Sequence, residues 1–115
     1  MRSAVFALGL AFVAGPALAA NGAQLFTAQC KMCHQAKSGP MAPTLAGVAG
    51  AKIASRPGFT YSAALKAKST QTWTDANLDA YLANPAGFAP GTRMMVKVAA
   101  PADRKALIGY LKTLK

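Results

Sequence analysis

The sequence contains few of the residues from which most metal sites are built. Among its 115 residues there are two cysteines, one histidine and three acidic residues, all of them aspartates. A structural zinc site needs four nitrogen or sulfur ligands. Two cysteines and one histidine supply only three, which excludes such a site. Thirteen Lys and Arg give a formal net charge of +10. Such a charge predicts solubility and attraction to acidic surfaces, and nothing in the sequence resembles a nucleic-acid-binding motif.

The N-terminus has the pattern of a secretory leader. Arg2 supplies a positive charge, residues 4–14 form an uncharged apolar run, and Ala-Leu-Ala at 17–19 is a small-residue cleavage signal. We therefore predict a cleaved signal peptide over residues 1–19 and a single mature domain over residues 20–115, with export to a bacterial periplasm. The alternative is an uncleaved membrane anchor. The Ala- and Gly-rich composition of the run and the lack of stop-transfer charges after it disfavour that alternative.

Both cysteines and the histidine stand together, in the sequence C-K-M-C-H at residues 30–34. This is the attachment motif for a c-type haem. Cys30 and Cys33 would each add to one vinyl group of the porphyrin, and His34 would bind the iron. A thioredoxin-like redox pair requires a βαβ context, and no strand pattern lies nearby. A plain disulfide would leave the adjacent His34 unexplained.

A second axial ligand for the iron must come from another residue type, since His34 is the single histidine. Methionine is usual in electron carriers, where it raises the reduction potential. Of the five methionines, one begins the leader, one lies inside the motif, and Met41 follows too closely to reach the opposite haem face. Met94 and Met95 remain. Adjacent side chains of an extended segment point apart, so one of the two can face the iron, and spacing alone does not choose.

Capping signals and hydrophobic spacing predict four helical segments. The first covers residues 22–33 after Asn21, a favoured N-cap residue. A short one lies within residues 62–68, and a third covers residues 74–84, where a proline follows. The last begins at Pro101, since proline is favoured at the first helical position.

The segments 37–50 and 84–91 are rich in turn residues, and both are predicted as loops. Gly109 lies inside the last helix, where glycine costs about 1 kcal/mol relative to alanine. Either a close crossing with the first helix offsets this cost, or the glycine lies on an exposed face.

Further short segments accompany the haem motif in a specific order. They are G-x-x-x-F at 22–26, P-T-L-x-G at 43–47, P-G-F-T-Y at 57–61, T-W at 72–73, Y-L-x-N-P at 81–85, P-G-T-R-M at 90–94 and L-I-x-Y-L-K at 107–112. With these segments the chain resembles class I c-type cytochromes, of the kind related to the mitochondrial carrier, over essentially the whole mature sequence. The resemblance implies an all-α cytochrome c fold, with three main helices plus shorter ones and loops wrapped around one covalently bound haem c.

The resemblance also assigns roles to residues around the iron. It implies that the Pro43 carbonyl accepts the ring proton of His34, and that Met94 rather than its neighbour is the sixth ligand. Tyr81 would form a hydrogen bond near the Met94 sulfur, and Thr92 would fasten the ligand loop.

Two aromatic residues, Tyr61 and Trp73, would reach the haem propionates by the same resemblance, although plain core packing would also explain large buried aromatics. One departure from the family affects the propionates. The mitochondrial-type proteins usually carry an arginine that helps to neutralise a propionate at the position of Ala51. Either Lys52 or Arg56 substitutes for it, or the propionate is more exposed to solvent.

The resemblance implies a soluble periplasmic carrier of single electrons, monomeric and not an enzyme. Its partners would be redox proteins with acidic docking surfaces: a quinol-oxidising complex, a terminal oxidase, a reaction centre or a periplasmic dehydrogenase. Five cations are candidates for a basic ring around the haem edge, or else serve only solubility: Lys31, Lys37, Lys68, Arg93 and Lys97. The alternative function is a haem protein with an open sixth position, acting on peroxide or sensing a gas.

Overall fold

The protein is built from helices connected by long loops. The structure is a computed structural model that describes residues 21–115. Its helices are α1 (Gly22–Gln29), α2 (Ala63–Lys66), α3 (Asp75–Ala83), α4 (Pro85–Phe88) and α5 (Pro101–Leu111). Extended pairing in this range is limited to one isolated bridge between Lys52 and Thr72, so the predicted all-α class is confirmed. The predicted leader, residues 1–19, lies outside the described residues.

The three main helices, α1, α3 and α5, begin at the signals that predicted them. Asn21 Oδ1 accepts a hydrogen bond from the Ala23 N–H at 2.9 Å. Thr74 Oγ1 accepts one from the Asn77 N–H at 3.1 Å. Helix α5 starts at Pro101, whose fixed φ suits the first helical position, and its N-cap residue Ala100 makes no side-chain cap hydrogen bond. Within residues 21–115, no helix is both long enough and apolar enough to cross a bilayer.

The first helix is shorter than predicted, since it ends at Gln29 and not at residue 33. From Cys30 the chain continues in tight turns, in which the N–H groups of Cys33 and His34 both donate to the Cys30 carbonyl, at 3.2 and 2.8 Å. Such turns keep nearly the side-chain spacing of a helix, so periodicity did not reveal the end. The haem motif therefore lies on a turn that follows α1.

The prediction that residues 84–91 form only a loop was wrong, because helix α4 covers Pro85–Phe88. Asn84 ends α3 and also caps α4, with its Oδ1 accepting from the Gly87 N–H at 3.1 Å. Pro85 occupies the start of α4, where its fixed φ suits a helix. The short helix turns the chain and directs Phe88 toward the aromatic residues of the core.

Helices α1 and α5 pack against each other at Gly22. A Cβ atom added to Gly22 would lie 2.2 Å from the Ala106 carbonyl oxygen and 2.9 Å from Tyr110 Cβ, so no larger residue fits without separating the helices. One turn further along α1, the rings of Phe26 and Tyr110 lie 5.1 Å apart between centroids. Leu107 of α5 is 1% exposed and is among the most buried residues of the core.

Gly109 takes no part in this crossing. It is exposed, and an added Cβ would meet no atom within 4 Å. Of the two explanations offered by the sequence, the close crossing was wrong for this glycine and the exposed face was right. The glycine that the close crossing requires is Gly22, which lies in α1 and not in α5.

Alanine at these two glycines should change stability in opposite directions. We expect Gly22→Ala to lower the free energy of unfolding by about 1–3 kcal/mol, as overpacking does. Gly109→Ala should raise it by about 0.5–1 kcal/mol, because alanine has the higher helix propensity and no clash arises. Guanidinium titration of the two haem-loaded variants measures both effects. A Gly22→Ala variant as stable as wild type would contradict the close packing of α1 on α5.

Candidate functional site

A cavity of about 330 Å³ lies between α1, α2, α3, α5 and the loops that connect them. Apolar side chains form most of its wall, among them Leu65, Leu78 and Leu107. All nine site residues proposed from the sequence line this one cavity: Cys30, Cys33, His34, Pro43, Tyr61, Trp73, Tyr81, Thr92 and Met94. The fold thus brings together residues that lie far apart in the chain.

The haem motif presents two thiols and an imidazole to the cavity. Cys30 is buried and Cys33 is exposed, and no disulfide joins them. His34 Nδ1 lies 2.8 Å from the Pro43 carbonyl oxygen, an acceptor that keeps the proton on Nδ1. Burial lowers the pKa of His34, and the hydrogen bond to Pro43 only partly opposes this. The ring is therefore neutral at pH 7, and its Nε2 lone pair is available to a metal.

The two adjacent methionines differ sharply in environment. Met94 is half-buried and packs against the hydrophobic core, whereas the side chain of Met95 is 85% exposed. The backbone before them is held by Thr92, whose Oγ1 lies 2.7 Å from the hydroxyl oxygen of Tyr81. Burial raises the pKa of Tyr81, which therefore keeps its proton at neutral pH.

An aromatic cluster supports this side of the cavity. Trp73 lies 5.1 Å from Tyr81 and 5.7 Å from Phe88 between ring centroids. Phe88 belongs to α4, so the helix that sequence reasoning missed supplies one of the three rings. The ammonium group of Lys68 lies 4.6 Å from the Phe88 ring centroid, in the range of a cation–π contact. Lys68 is thus attached to the cluster and is half-buried.

The loop before α2 contributes Tyr61. Its hydroxyl oxygen accepts the backbone N–H of Arg56 at 3.0 Å, which leaves the phenol proton free for another acceptor. Burial raises the pKa of Tyr61, although the Arg56 hydrogen bond opposes the shift. Tyr61 is therefore a neutral hydrogen-bond donor at the cavity wall.

Arg93 has a role that the sequence did not reveal. Its guanidinium donates to the Thr60 carbonyl and lies 5.4 Å from the ring centroid of Phe59. Both Arg93 and Phe59 line the cavity. Arg93 thereby fastens the Met94 segment to residues 57–61, a contact for which its position beside Met94 was the only signal in the sequence.

A covalently attached haem fits this donor set. The volume lies in the range typical of cofactor sites, and the walls are apolar with few polar groups. Two thiols stand beside a neutral imidazole, and the thioethers of Met94 and Met95 from a distant loop line the same space, as does Met41. Within residues 21–115 no group of three or more His, Cys, Asp or Glu side chains could hold a metal ion, so two axial ligands for a porphyrin-bound iron suit the site better than a protein-only metal centre.

Comparison with known proteins agrees with this interpretation. The family model for cytochrome c matches residues 19–115. Cytochrome c2 of Rhodomicrobium vannielii is 47% identical over 98 residues, which cover 81% of this chain and 76% of the relative. The structure of cytochrome cH from Methylobacterium extorquens superposes with a TM-score of 0.74 at 41% identity, over 83% of this chain and 97% of that one.

The ferricytochrome c2 structure of Rhodopseudomonas palustris gives a TM-score of 0.75 at 34% identity, covering 82% of this chain and 96% of that one. The family-model match extends over all the residues that form the cavity. The likeness in fold also confirms the predicted cytochrome c architecture. We conclude that the chain belongs to the cytochrome c family and is a class I c-type cytochrome, a monohaem electron carrier with one covalently attached haem c.

Proposed function

We propose that this cytochrome is a soluble periplasmic protein that carries single electrons with histidine and methionine as axial ligands, and that it is not an enzyme. One observation carries the proposal: a single cavity is lined by Cys30, Cys33, His34 and Met94. The cysteines would hold the cofactor by thioether bonds. When bound, the haem iron supplies the site that is reduced and oxidised. His34 and Met94 would hold the iron from the protein, and substrate would then have no open position to enter.

The role of His34 as the proximal ligand is supported by its tautomer. The hydrogen bond at 2.8 Å to Pro43 fixes the proton on Nδ1 and orients the ring, which leaves Nε2 for the iron. A hydrogen bond of this kind at Nδ1 also raises the basicity of the ligating nitrogen, Nε2. Pro43 lies in the cavity wall beside His34. It accepts the Nδ1 proton through its backbone carbonyl, so this role does not depend on a side chain.

The choice of Met94 over Met95 is supported by burial. A thioether that binds iron has to leave water, and Met94 already packs against the core, while Met95 is 85% exposed. The hydrogen bond between Thr92 and Tyr81 and the contacts of Arg93 hold the two residues that directly precede Met94. We propose that these contacts keep the Met94 sulfur at the cavity.

The charge distribution supports acidic partners. Asp79 of α3 pairs with Arg104 of α5 at 2.7 Å, and Asp75 of α3 pairs at 2.7 Å with Lys112, the residue that follows α5. Asp103 is thus the only acidic side chain of residues 21–115 outside an ion pair. Most cations consequently have no acidic neighbour to balance them, and a strongly positive surface attracts acidic redox proteins and raises their association rate.

Cations near the cavity would form the docking face. Lys31, Lys37 and Lys97 are exposed, and Arg93 lines the cavity itself. We propose that a quinol-oxidising complex, terminal oxidase, reaction centre or periplasmic dehydrogenase presents carboxylates to this face. The predicted leader would export the protein to the periplasm, where we propose that such partners lie.

The proposal is tested with small redox reagents of opposite charge. We would reduce the haem-loaded protein and follow its oxidation by anionic ferricyanide and by a cationic cobalt tris-phenanthroline complex, at several salt concentrations. Oxidation by ferricyanide should slow by about tenfold between low and high salt, because screening removes electrostatic steering. Oxidation by the cationic complex should become faster over the same range.

Carbon monoxide provides the second arm of this experiment. The ferrous protein should not bind it, because an iron with two protein ligands has no open position. Rapid carbon monoxide binding by wild type, together with turnover of peroxide, would overturn the carrier proposal in favour of the open-site alternative. Equal salt dependence for the two reagents would overturn the positive docking face alone.

A further inference from the structure

The segment that begins with Met94 has little backbone support of its own. Within the part of the chain that the structure describes, no N–H or carbonyl group of residues 94–97 forms a hydrogen bond with another residue. Thr92 and Arg93 are held on the side that precedes this segment. On the other side, the first residue with a hydrogen-bonded backbone is Val98. Backbone without such bonds opens readily, so the position of Met94 depends on what holds the segment at both ends.

The end that follows Met94 is held mainly at Val98, which is 3% exposed. Its N–H donates to the Leu82 carbonyl at 2.9 Å. Its carbonyl accepts a hydrogen bond from Nη1 of Arg104 at 2.9 Å, and the same nitrogen donates to the Ala99 carbonyl, also at 2.9 Å. Arg104 of α5 therefore fixes the two residues at which the unsupported segment ends.

Asp79 determines the direction in which the Arg104 guanidinium points. Its Oδ1 accepts the Nε–H of Arg104 at 2.7 Å, and the arginine side chain is only 13% exposed. The donors of a guanidinium lie in fixed directions in one plane. Because Asp79 of α3 engages Nε, Nη1 is directed at the carbonyls of Val98 and Ala99. One side chain thus connects α3 and α5 to the end of the ligand segment.

The second ion pair of the protein provides a natural comparison. Asp75 lies one turn before Asp79 in the same helix and pairs with Lys112, also at 2.7 Å. Both of its side chains are largely exposed, at 65% for Asp75 and 53% for Lys112. The Lys112 ammonium group donates to Asp75 and to no carbonyl of the described residues. An exposed pair of this kind contributes little to stability, and this one has no contact with the ligand segment.

We propose that Arg104, oriented by Asp79, is a positioning residue for the sixth ligand of the iron. By holding the carbonyls of Val98 and Ala99, it limits the movement of residues 94–97 and hence the fraction of molecules in which the Met94 sulfur has left the iron. Arg104 does not line the cavity, so it acts through the backbone. The inference rests on the methionine ligation proposed above.

Imidazole binding to the ferric, haem-loaded protein tests this role. Imidazole needs a vacant sixth position, so its apparent affinity rises with the fraction of molecules in which Met94 is detached. Asp79→Ala removes the acceptor that orients Arg104. We expect the apparent affinity for imidazole to rise by about three- to tenfold, which is less than the full worth of a hydrogen bond to a charged group. Loss of the far-red band as imidazole is added measures it.

Asp75→Ala is the matched control, because it removes the same side chain from the same helix one turn away. It breaks only the exposed pair, so the apparent affinity for imidazole should change by less than about twofold. Guanidinium titration of both variants is done in parallel. If Asp79→Ala lowered the free energy of unfolding but bound imidazole no more tightly than Asp75→Ala, Arg104 would be only a structural brace and the proposal would be overturned.

Arg104→Lys separates the carbonyl contacts from the charge. Lysine keeps the charge and can still pair with Asp79, but its single nitrogen lacks the fixed fork that serves the aspartate and two carbonyls together. We therefore expect a rise in imidazole affinity similar to that of Asp79→Ala. An affinity equal to that of wild type would show that the charge alone matters, and would contradict positioning through the carbonyls.

Amide hydrogen exchange in the haem-loaded wild type requires no variant to fold. The N–H of Val98 should exchange slowly, because it is buried and bonded to Leu82. If neither variant retains haem, exchange of this N–H at the rate of a free peptide would overturn the proposal. Failure of the proposed function has a different signature, since wild type itself would then lack the far-red band before any imidazole is added.

Discussion

The polypeptide without haem should be unfolded. The cavity of about 330 Å³ has mostly apolar walls and is partly open to solvent; for a fully enclosed core, unfilled volume at about 24 cal/mol per Å³ would cost roughly 8 kcal/mol, which is an upper bound here. The whole free energy of unfolding of a domain of this size is about 5–15 kcal/mol. Loss of the cofactor therefore removes most or all of the stability, because a domain this small has little other core to rely on.

Far-ultraviolet circular dichroism measures this directly on residues 20–115 produced without a haem-attachment system, with the cysteines kept reduced. We expect little helical signal and no cooperative transition in guanidinium. The matched control is the same chain with haem attached, which should unfold cooperatively. A haem-free chain with native helical content and a sharp transition would mean that the side chains around the cavity form a core of their own.

Local signals explain why most helices could be predicted. Asn21 and Thr74 cap the helices they precede, and Pro101 starts the last one, because each acts within one turn of itself. The same reasoning failed at Asn84, which ends one helix and caps the next. The prolines and glycines at 85, 87, 90 and 91 suggested a broken loop, although the pair Asn84-Pro85 is itself a good helix start. At this point two local signals compete, and the helix start at Asn84-Pro85 outweighs the helix-breaking glycine and proline that follow.

Contacts between distant residues explain what the sequence did not reveal. Gly22 and Gly109 are both helix glycines, and only the position of Ala106 decides which one the packing requires. Likewise, apart from the position of Arg93 beside Met94, nothing local indicates that Arg93 reaches Thr60. Within residues 21–115 the Nε of Arg56 is buried without a hydrogen-bond partner, which can be recognised only when every acceptor around it is known. Such choices depend on the tertiary structure and not on residue type.

The haem motif could be assigned without any tertiary contact, because the numbers of histidines and cysteines were sufficient. With one histidine and two cysteines in the chain, the identity of the attachment residues did not depend on the fold. The methionine was different, since Met94 and Met95 are chemically equal and adjacent. Their separation into a half-buried and an exposed side chain comes from the tertiary structure and leads to a pair of variants with contrasting expectations.

Met94→Ala should convert the electron carrier into a protein with an open iron. We expect loss of the weak far-red absorption band of methionine-sulfur ligation in the ferric form, and binding of carbon monoxide in the ferrous form. The reduction potential should fall by on the order of 0.1 V or more, because a methionine ligand raises it and axial ligands set haem potentials over about 0.8 V. Absorption spectra and potentiometric titration of the haem-loaded variant measure all three changes.

Met95→Ala is the matched control, because it removes the same side chain from the adjacent position. Since Met95 is 85% exposed, its loss should leave the far-red band intact and change the free energy of unfolding by no more than about 0.5 kcal/mol. The contrast isolates ligation from general damage to the loop, which both variants share. If Met95→Ala instead abolished the band and Met94→Ala preserved it, the ligand assignment would be reversed. If neither variant changed the spectrum, the sixth ligand would not be a methionine of this loop.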